Sequence, residues 1–585
     1  MNSSSGSSDE IQHNDDDNSV DDFAGTVPLD EEVLRRLRNN DPELTGLEIN
    51  DQDRISSINW QKDGKYISEN KNLKSIHLDE WSSDPDVENI KALLRAISCN
   101  RSIKCIDICQ CSIGSGELIE IITPFLQNNA RIRTLYMSNL ELNDKSAQLL
   151  SSALASCAGS LRRVDLHCSH GLSKLSAGRI VASLDNHHTS LKALSLSLNN
   201  NEKQWCIELG KLLQNPTSKL EELNLEHNEI CNESAFVFGG AIARSKLKEI
   251  HLSEIESITS LGWIALASGI VGCSSIEEIE ANYNDELCDE VAVVLANALV
   301  VNPSLAVLDL RHNSIGDSGA MAIGYGLANN TTLKHLDLSH SQSISSAGWQ
   351  TFFGILRNSN YSLEKLFLSD NDIDDEGVIA IIDTLGTTLK LLRFVHNPLI
   401  TIVGFRALAT LVYRPNSCLE NLDISPAVGI IDEVMLCFAN ALVNNNTMKS
   451  LYLGNSLNIT CWTALSNVLC NKTDIESICA SNHTLQFGPN IPDDIKEYYE
   501  LNKNEDKIEV ARQKIIKYHF LDGESNIDKF VKMELTELPQ AISWIGRNDT
   551  GASLLYKLCK SVPTLFDFES KAKAAECRKR KADGL

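Results

Sequence analysis

One feature limits what this chain can fold into more than any other. A three-point apolar pattern recurs about every 29 residues and keeps its phase over some 430 residues. Apolar residues stand at offsets 0, 3 and 5, and a small polar residue follows near offset 8. The clearest copies read LEELNLEHNEI from 220, LAVLDLRHNSI from 305, LKHLDLSHSQSI from 333 and LEKLFLSDNDI from 363. The offset-0 series is Leu44, Leu73, Ile103, Ile132, Leu161, Leu191, Leu220, Leu247, Ile276, Leu305, Leu333, Leu363, Leu389, Leu419, Met448 and Ile475, with intervals of 26 to 30 residues. A unit this short cannot bury its apolar face alone, so neighbours must stack. A prior of roughly 150 residues per domain would divide 585 residues into about four domains; the repeat makes them one array with two ends.

Each unit divides its labour. Residues at offsets 3 and 5 alternate with polar neighbours, as in Leu308-Asp309-Leu310, which predicts a short strand with 308 and 310 inward and 307, 309 and 311 outward. At offset 8 the side chain turns inward, where Asn199, Asn228, Asn284, Asn313, Asn371 and Asn397 can satisfy backbone groups at the strand end, with Cys111 in the same place in its own unit. Glycine at offset 14 or 15 (Gly262, Gly319, Gly348, Gly377, Gly404) predicts a turn into a short amphipathic helix carrying pairs such as Leu266 and Ile270.

At this point the repeats resemble the ribonuclease-inhibitor type of leucine-rich repeat, whose L-x-x-L-x-L-x-x-N/C pattern they match. The resemblance implies an α/β solenoid, a curved horseshoe with parallel strands on its concave face and helices on its convex face. Such proteins are usually binding scaffolds, and relatives include inhibitor, immune-sensor and GTPase-activating members, so the fold does not fix function.

The ends differ from the array. Residues 1–32 hold ten Asp and Glu with no Lys or Arg, which predicts a disordered acidic tail. The solenoid is expected over 33–485. Residues 486–570, beginning IPDDIKEYYELNKNEDKIEVARQKIIKYHFL, predict a helical C-terminal cap covering the apolar end of the stack, and 571–585 a basic tail.

Composition narrows the partner. Seventy-nine Asp and Glu against 53 Lys and Arg give a formal charge of −26, which argues against nucleic acid as a partner. In the horseshoe the outward offsets 2, 4 and 6 line the concave face. From 220 to 337 they include Glu222, Glu226, Glu249, Glu278, Glu280, Asp309 and Asp337, with Arg311 the one Lys or Arg among them. This reads as an acidic lane for a basic protein surface, or as a solvated face. Four histidines at offset 7 (His227, His312, His340, His396) and the run Cys105-x-x-x-Cys109-x-Cys111 do not assemble a ligand set at zinc-like spacing, so no metal is expected. Sequons such as Asn458-Ile459-Thr460 carry little weight without a secretory signal.

No phosphate loop, nucleophile elbow or H-E-x-x-H pair occurs, and a non-enzymatic protein without cofactor is expected. The first residues lack a secretory pattern and no apolar stretch reaches membrane-spanning length, which predicts a cytoplasmic protein with no membrane partner. Arg578-Lys579-Arg580-Lys581 leaves nuclear import open beside a solubilising role. Two functions stand. One is a protein–protein interaction scaffold; the other is a GTPase activator of the nuclear-transport type, and stimulation of GTP hydrolysis by a small GTPase would separate them.

Overall fold

The alternation at offsets 3 and 5 sends every second side chain to one face of a strand. In the computed structural model these side chains are buried in repeat after repeat, as Leu223 and Leu225, Leu308 and Leu310, and Leu366 and Leu368. The structure describes residues 26–518 apart from 51–57, 80–86, 110–114, 169–172, 186–189, 199–202, 385–387, 427–429, 487–491 and a few isolated positions. The chain divides into two units, Met1–Leu333 and Lys334–Leu585. Each is a stretch of α/β leucine-rich-repeat solenoid.

The first unit contains β1 (Thr26–Pro28), β2 (Gly46–Asn50), β3 (Ser75–Asp79), β4 (Cys105–Ile108), β5 (Thr134–Leu140), β6 (Arg163–Cys168), β7 (Ala193–Ser197), β8 (Glu222–Asn224), β9 (Glu249–His251), β10 (Glu278–Glu280), β11 (Asn284–Cys288), β12 (Val307–Asp309) and β13 (Asn313–Ser314). All but β11 and β13 form one parallel ladder in chain order, while β11 and β13 pair with each other. In the second unit β14 (His335–Asp337), β15 (Lys365–Phe367), β16 (Leu391–Phe394), β17 (Asn421–Ile424) and β18 (Ser450–Tyr452) are likewise parallel and in order. Equal offsets face one another, as Leu223 with Ile250 and Ile279 with Leu308. Each offset is therefore a row of side chains about 4.8 Å apart. A parallel strand needs a crossover to return, and the helices supply it. Those at Ser260–Gly272 and Asp289–Val301 bury Trp263, Leu266 and Ile270, and Val291, Leu295 and Leu299, at helical spacing. Among the described residues no helix is long and apolar enough to cross a membrane.

Two asparagine rows stitch neighbouring repeats within each unit. At offset 8, Asn313 Nδ2 donates to the carbonyls of Ala281 and Leu310, both at 2.8 Å, and its Oδ1 accepts from Asn284 N–H at 2.9 Å. Asn228, Asn284, Asn371 and Asn397 bond in the same way, while Asn199 and Cys111 lie outside the described residues. The second row stands three residues before offset 0. Asn100 Nδ2 donates to the carbonyls of Ile67 at 2.6 Å and Asn70 at 2.8 Å, and its Oδ1 accepts from the N–H groups of Ser102 and Ile103. Asn302 and Asn330 repeat the arrangement. These buried amides settle backbone groups left over where each helix ends and the next strand begins.

The glycines at offset 14 or 15 do not form turns. Each is the third residue of its helix, as Gly319 in Asp317–Ala328 and Gly404 in Ile402–Tyr413. Close approach is what demands them. A Cβ at Gly404 would sit 2.5 Å from Asp375 Oδ1 and 2.7 Å from Ile400 Cγ2, while Gly404 N–H donates to that same Oδ1 at 2.9 Å. Alanine at Gly404 is expected to destabilise the protein by about 1–3 kcal/mol through overpacking, although alanine is the better helix former by roughly 1 kcal/mol. Urea unfolding should show a lowered midpoint; a raised one would mean that propensity outweighs the crowding.

Both ends correct the sequence reading. Residues 26–32, placed with the disordered tail, are ordered: β1 pairs with β2, Leu29 is buried, and Asp30 caps the helix Glu31–Arg38 by accepting from Val33 N–H. A charge count over a 32-residue window hid the short apolar run Val27-Pro28-Leu29. Ile475 does not open a strand either. It begins the helix Ile475–Cys479, capped by Asp474, because apolar residues at offsets 0 and 3 suit a helix as well as a strand. The true last unit starts at Leu485, preceded by Asn482, whose side chain accepts from Thr484 and Leu485 N–H, and Gln486 bridges to Ser450.

Beyond it the helices Asp493–Asn502 and Lys507–Lys514 close this end. Lys514 is fully buried, and its Nζ donates to the carbonyls of Leu469 at 2.6 Å and Asn482 at 3.0 Å. Asn482 treats Leu442, the last residue of its preceding helix, and Asn445 alike. Lys514 thus occupies the place of the asparagine that a further repeat would bring. The rest of the cap and the basic tail, from residue 519, lie outside the described residues.

Candidate functional site

The outward rows at offsets 2, 4 and 6 are set by strand register. Across β6 to β10, offset 2 reads Arg163, Ala193, Glu222, Glu249, Glu278, and offset 4 reads Asp165, Ser195, Asn224, His251, Glu280. Glu222, Glu249 and Glu278 therefore stand side by side on adjacent strands. Burial, and then the charge of Glu222, raise the Glu249 carboxyl above the ordinary range.

The lane is less acidic than its residue list. Arg163, two strands away, reaches over the small side chain of Ala193 and grips Glu222 with both terminal guanidinium nitrogens, Nη1 and Nη2, at 2.8 and 2.6 Å. His251 Nδ1 lies 2.7 Å from Glu280 Oε2. Burial opposes the charge on this imidazole, but the Glu280 hydrogen bond and the carboxylates of Glu280, Glu226 and Glu278 prevail and raise it to about 9, so it is a cation at neutral pH. Asp309 and Asp337 are buried and serve their own turns. Asp309 accepts from Arg311 N–H at 3.0 Å and Asn282 Nδ2 at 3.1 Å, and Asp337 accepts from Ser339 N–H at 2.8 Å. Glu226 is oriented by Asn224 Nδ2 at 3.2 Å.

Arg163 escaped the sequence reading because the lane was read from offset 0 at 220 onward, and an arginine reaches beyond its own strand. Extending the offset-2 row back two repeats would have found it. His251 was passed over because its formal charge is zero until its neighbours are known.

Glu226, His251 and Glu280 offer one ligand atom each within 4.8 Å of one another, the set among the described residues best placed to hold a metal. The short His251–Glu280 bond uses those groups for each other. The histidines at offset 7 have another explanation. His227, Glu254, Tyr283, His312, His340, Asp370 and His396 all have φ between 53° and 56°, a left-handed conformation in which His and Asp are enriched. His227 pairs with Glu254 at 3.0 Å, His312 stacks on Tyr283, and His340 and His396 both reach Asp370 at 3.1 Å. Cys105, at the outward offset 2 of its repeat, is nevertheless buried, and Cys109 Sγ donates to Asp107 Oδ1 at 3.1 Å. Asn458 spends its amide capping a helix, accepting from Cys461 N–H and donating to Asp432.

Comparison with known proteins agrees with this geometry. The Leucine Rich repeat family model matches residues 301–324, 329–352 and 359–381. The mouse protein "NACHT, LRR and PYD domains-containing protein 14" is 26% identical over 336 residues, 55% of this chain and 32% of the relative, so this chain spans about a third of that protein's length. Mouse ribonuclease inhibitor is 26% identical over 387 residues, 63% of this chain and 81% of the inhibitor. The pig inhibitor is 25% identical over 298 residues, 51% of this chain and 58% of the inhibitor. A solved chain of the yeast Rad7–Elc1 complex aligns with a TM-score of 0.39 at 18% identity, covering 63% of this chain and 84% of that one. With its repeat register, its parallel strands and its similarity to the ribonuclease inhibitors together, the chain is a leucine-rich-repeat protein of ribonuclease-inhibitor-like type.

Proposed function

We propose that this protein is a binding scaffold whose outward sheet face receives a basic surface of a protein partner. The observation that carries the reading is the in-register row Glu222, Glu249 and Glu278 on β8, β9 and β10. The three carboxylates stand one strand spacing apart, and burial together with the charge of Glu222 raises the Glu249 carboxyl. A partner's lysine or arginine placed over Glu249 and Glu278 would oppose that rise. The lane thereby contracts from seven residues toward its centre, since Glu222 and Glu280 already face cations and Asp309 and Asp337 are committed to their turns.

The test is affinity capture on the full chain, identification of the bound protein, and association kinetics with the variant Glu249→Gln/Glu278→Gln. Association is expected to slow by about tenfold at low salt, with the difference shrinking at high salt as steering is screened. Equal on-rates for variant and wild type would remove this row as the partner site.

A further inference from the structure

We propose that the edge of the first unit where β3 to β7 begin is a second docking surface, built for a short acidic peptide segment of a partner protein. The residue just before each strand is basic five times running: Lys74, Lys104, Arg133, Arg162 and Lys192. The backbone holds them in line, for each N–H donates to the carbonyl of the one before at 2.7 Å, from Lys104 onto Lys74 through to Lys192 onto Arg162. The four residues around these strand starts read KNLK, RSIK, ARIR, GSLR and TSLK, with eight basic side chains and no acidic one. On a chain of net charge −26 this is a concentrated exception.

The same row elsewhere shows how neighbouring charges are normally accommodated. Further along the first unit it alternates: Lys248 lies between Glu221 at 3.6 Å and Glu277 at 3.8 Å. In the second unit Glu364 lies between Lys334 at 3.5 Å and Lys390 at 2.6 Å, and Lys449 meets Glu420 at 2.6 Å. Alternation turns the row into a ladder of ion pairs. Over β3 to β6 that solution is absent: Lys192, before β7, meets Glu221 at 3.5 Å, but among the described residues Lys104, Arg131, Arg133 and Arg162 have no carboxylate within ion-pair distance. These four side chains line a pocket of about 400 Å³ together with Ser160, whose hydroxyl donates to the Cys157 carbonyl, and Ser190.

Size and surroundings select the ligand. Five rows at ~4.8 Å span about 19 Å, the reach of roughly six extended residues at ~3.3 Å each. Just past Lys192 stand Glu221 and the carboxylates of Glu222, Glu249 and Glu278, so a long polyanion would run into repulsion. None of the twenty positions is aromatic, which removes the stacking platform that single-stranded nucleic acid uses. A peptide carrying a few Asp or Glu fits the length and the sign. This edge is distinct from the glutamate row and opposite to it in charge.

The test is fluorescence anisotropy of a labelled hepta-glutamate peptide with the full chain at low ionic strength. Binding is expected, weakened at least about tenfold in Arg133→Glu/Arg162→Glu and largely retained in Arg133→Lys/Arg162→Lys, with Lys390→Ala as an unaffected control. Circular dichroism would establish that the variants fold, and Arg133→Ala/Arg162→Ala provides a milder change in the same direction. Unchanged affinity in both disruptive variants would overturn the proposal, as would tighter binding of a single-stranded oligonucleotide of equal charge. Peptide binding seen only after deletion of residues 1–22 would also overturn it, by showing that the chain's own acidic segment holds the row.

Discussion

Replacing Asn228 by alanine is expected to destabilise the protein by about 3–5 kcal/mol, because it strands several buried backbone groups at once and each costs roughly 1–3 kcal/mol. The Asn228 amide donates to the carbonyls of Leu196 at 2.5 Å, Leu225 at 2.7 Å and Glu226 at 3.3 Å, and its Oδ1 accepts from Leu198 N–H at 2.9 Å. Two of these partners belong to the preceding repeat, so the loss falls on the joint between repeats. Urea unfolding should show a clear drop in midpoint, and hydrogen exchange should quicken first at Leu198. Asn371→Ala breaks fewer bonds, one to the Leu338 carbonyl and one from Ser341 N–H, and should cost less. If the two variants unfold together at the wild-type midpoint, the asparagine row is not what binds repeat to repeat.

The second large effect concerns Lys514. Methionine there keeps the length of the side chain and removes the donor to the carbonyls of Leu469 and Asn482, the second of which keeps only a 3.4 Å bond from Asn502 Nδ2. Hydrogen exchange in the helices Asp493–Asn502 and Lys507–Lys514 is expected to accelerate at least tenfold, while β8 to β10 stay protected. Acid should have a related effect. Burial lowers the Lys514 ammonium to about 7, so its contribution is complete above the unfolded value near 10.5 and is lost as pH falls through about 7. Burial, and then the charge of Lys514, lower the neighbouring His483 to about 4, so its contribution is complete above about 6.5 and is lost toward pH 4. Both windows have the same sign, and the cap should loosen steadily as pH is lowered. Lys514→Met should flatten the upper window and His483→Asn the lower one. Cap exchange rates, corrected for intrinsic pH dependence, that do not change between pH 9 and 5 would refute the coupling.

The repeat register was legible because burial at offsets 0, 3 and 5 is imposed by stacking, which every interior repeat experiences in the same way. The offset-8 asparagines were legible for the same reason. The asparagine three residues before offset 0 was not, since Asn302 and Asn330 look like ordinary loop residues until their amides are seen reaching into the previous helix end. Glycine at offset 14 or 15 misled because composition cannot separate a residue needed for positive φ from one needed for close approach; Gly319 and Gly404 are of the second kind. The acidic lane was half legible. Formal charges placed Glu249 and Glu278 correctly, but the state of His251 depends on three carboxylates from other strands, and Arg163 acts two strands from its own. At the ends the physics changes, because a terminal unit has one neighbour and nothing enforces the pattern on its open side.

Lys514 also bears on how long such a protein can be. Since it accepts the last asparagine's role without being part of a repeat, the closing helices recognise a generic end rather than a particular unit. An extra copy of residues 276–304 spliced in after Pro303-Ser304 would present the same register to both neighbours and leave this closure untouched. Length is then an adjustable quantity in this molecule, open to duplication and loss of whole units, with the chemistry of termination carried by a segment that need not change.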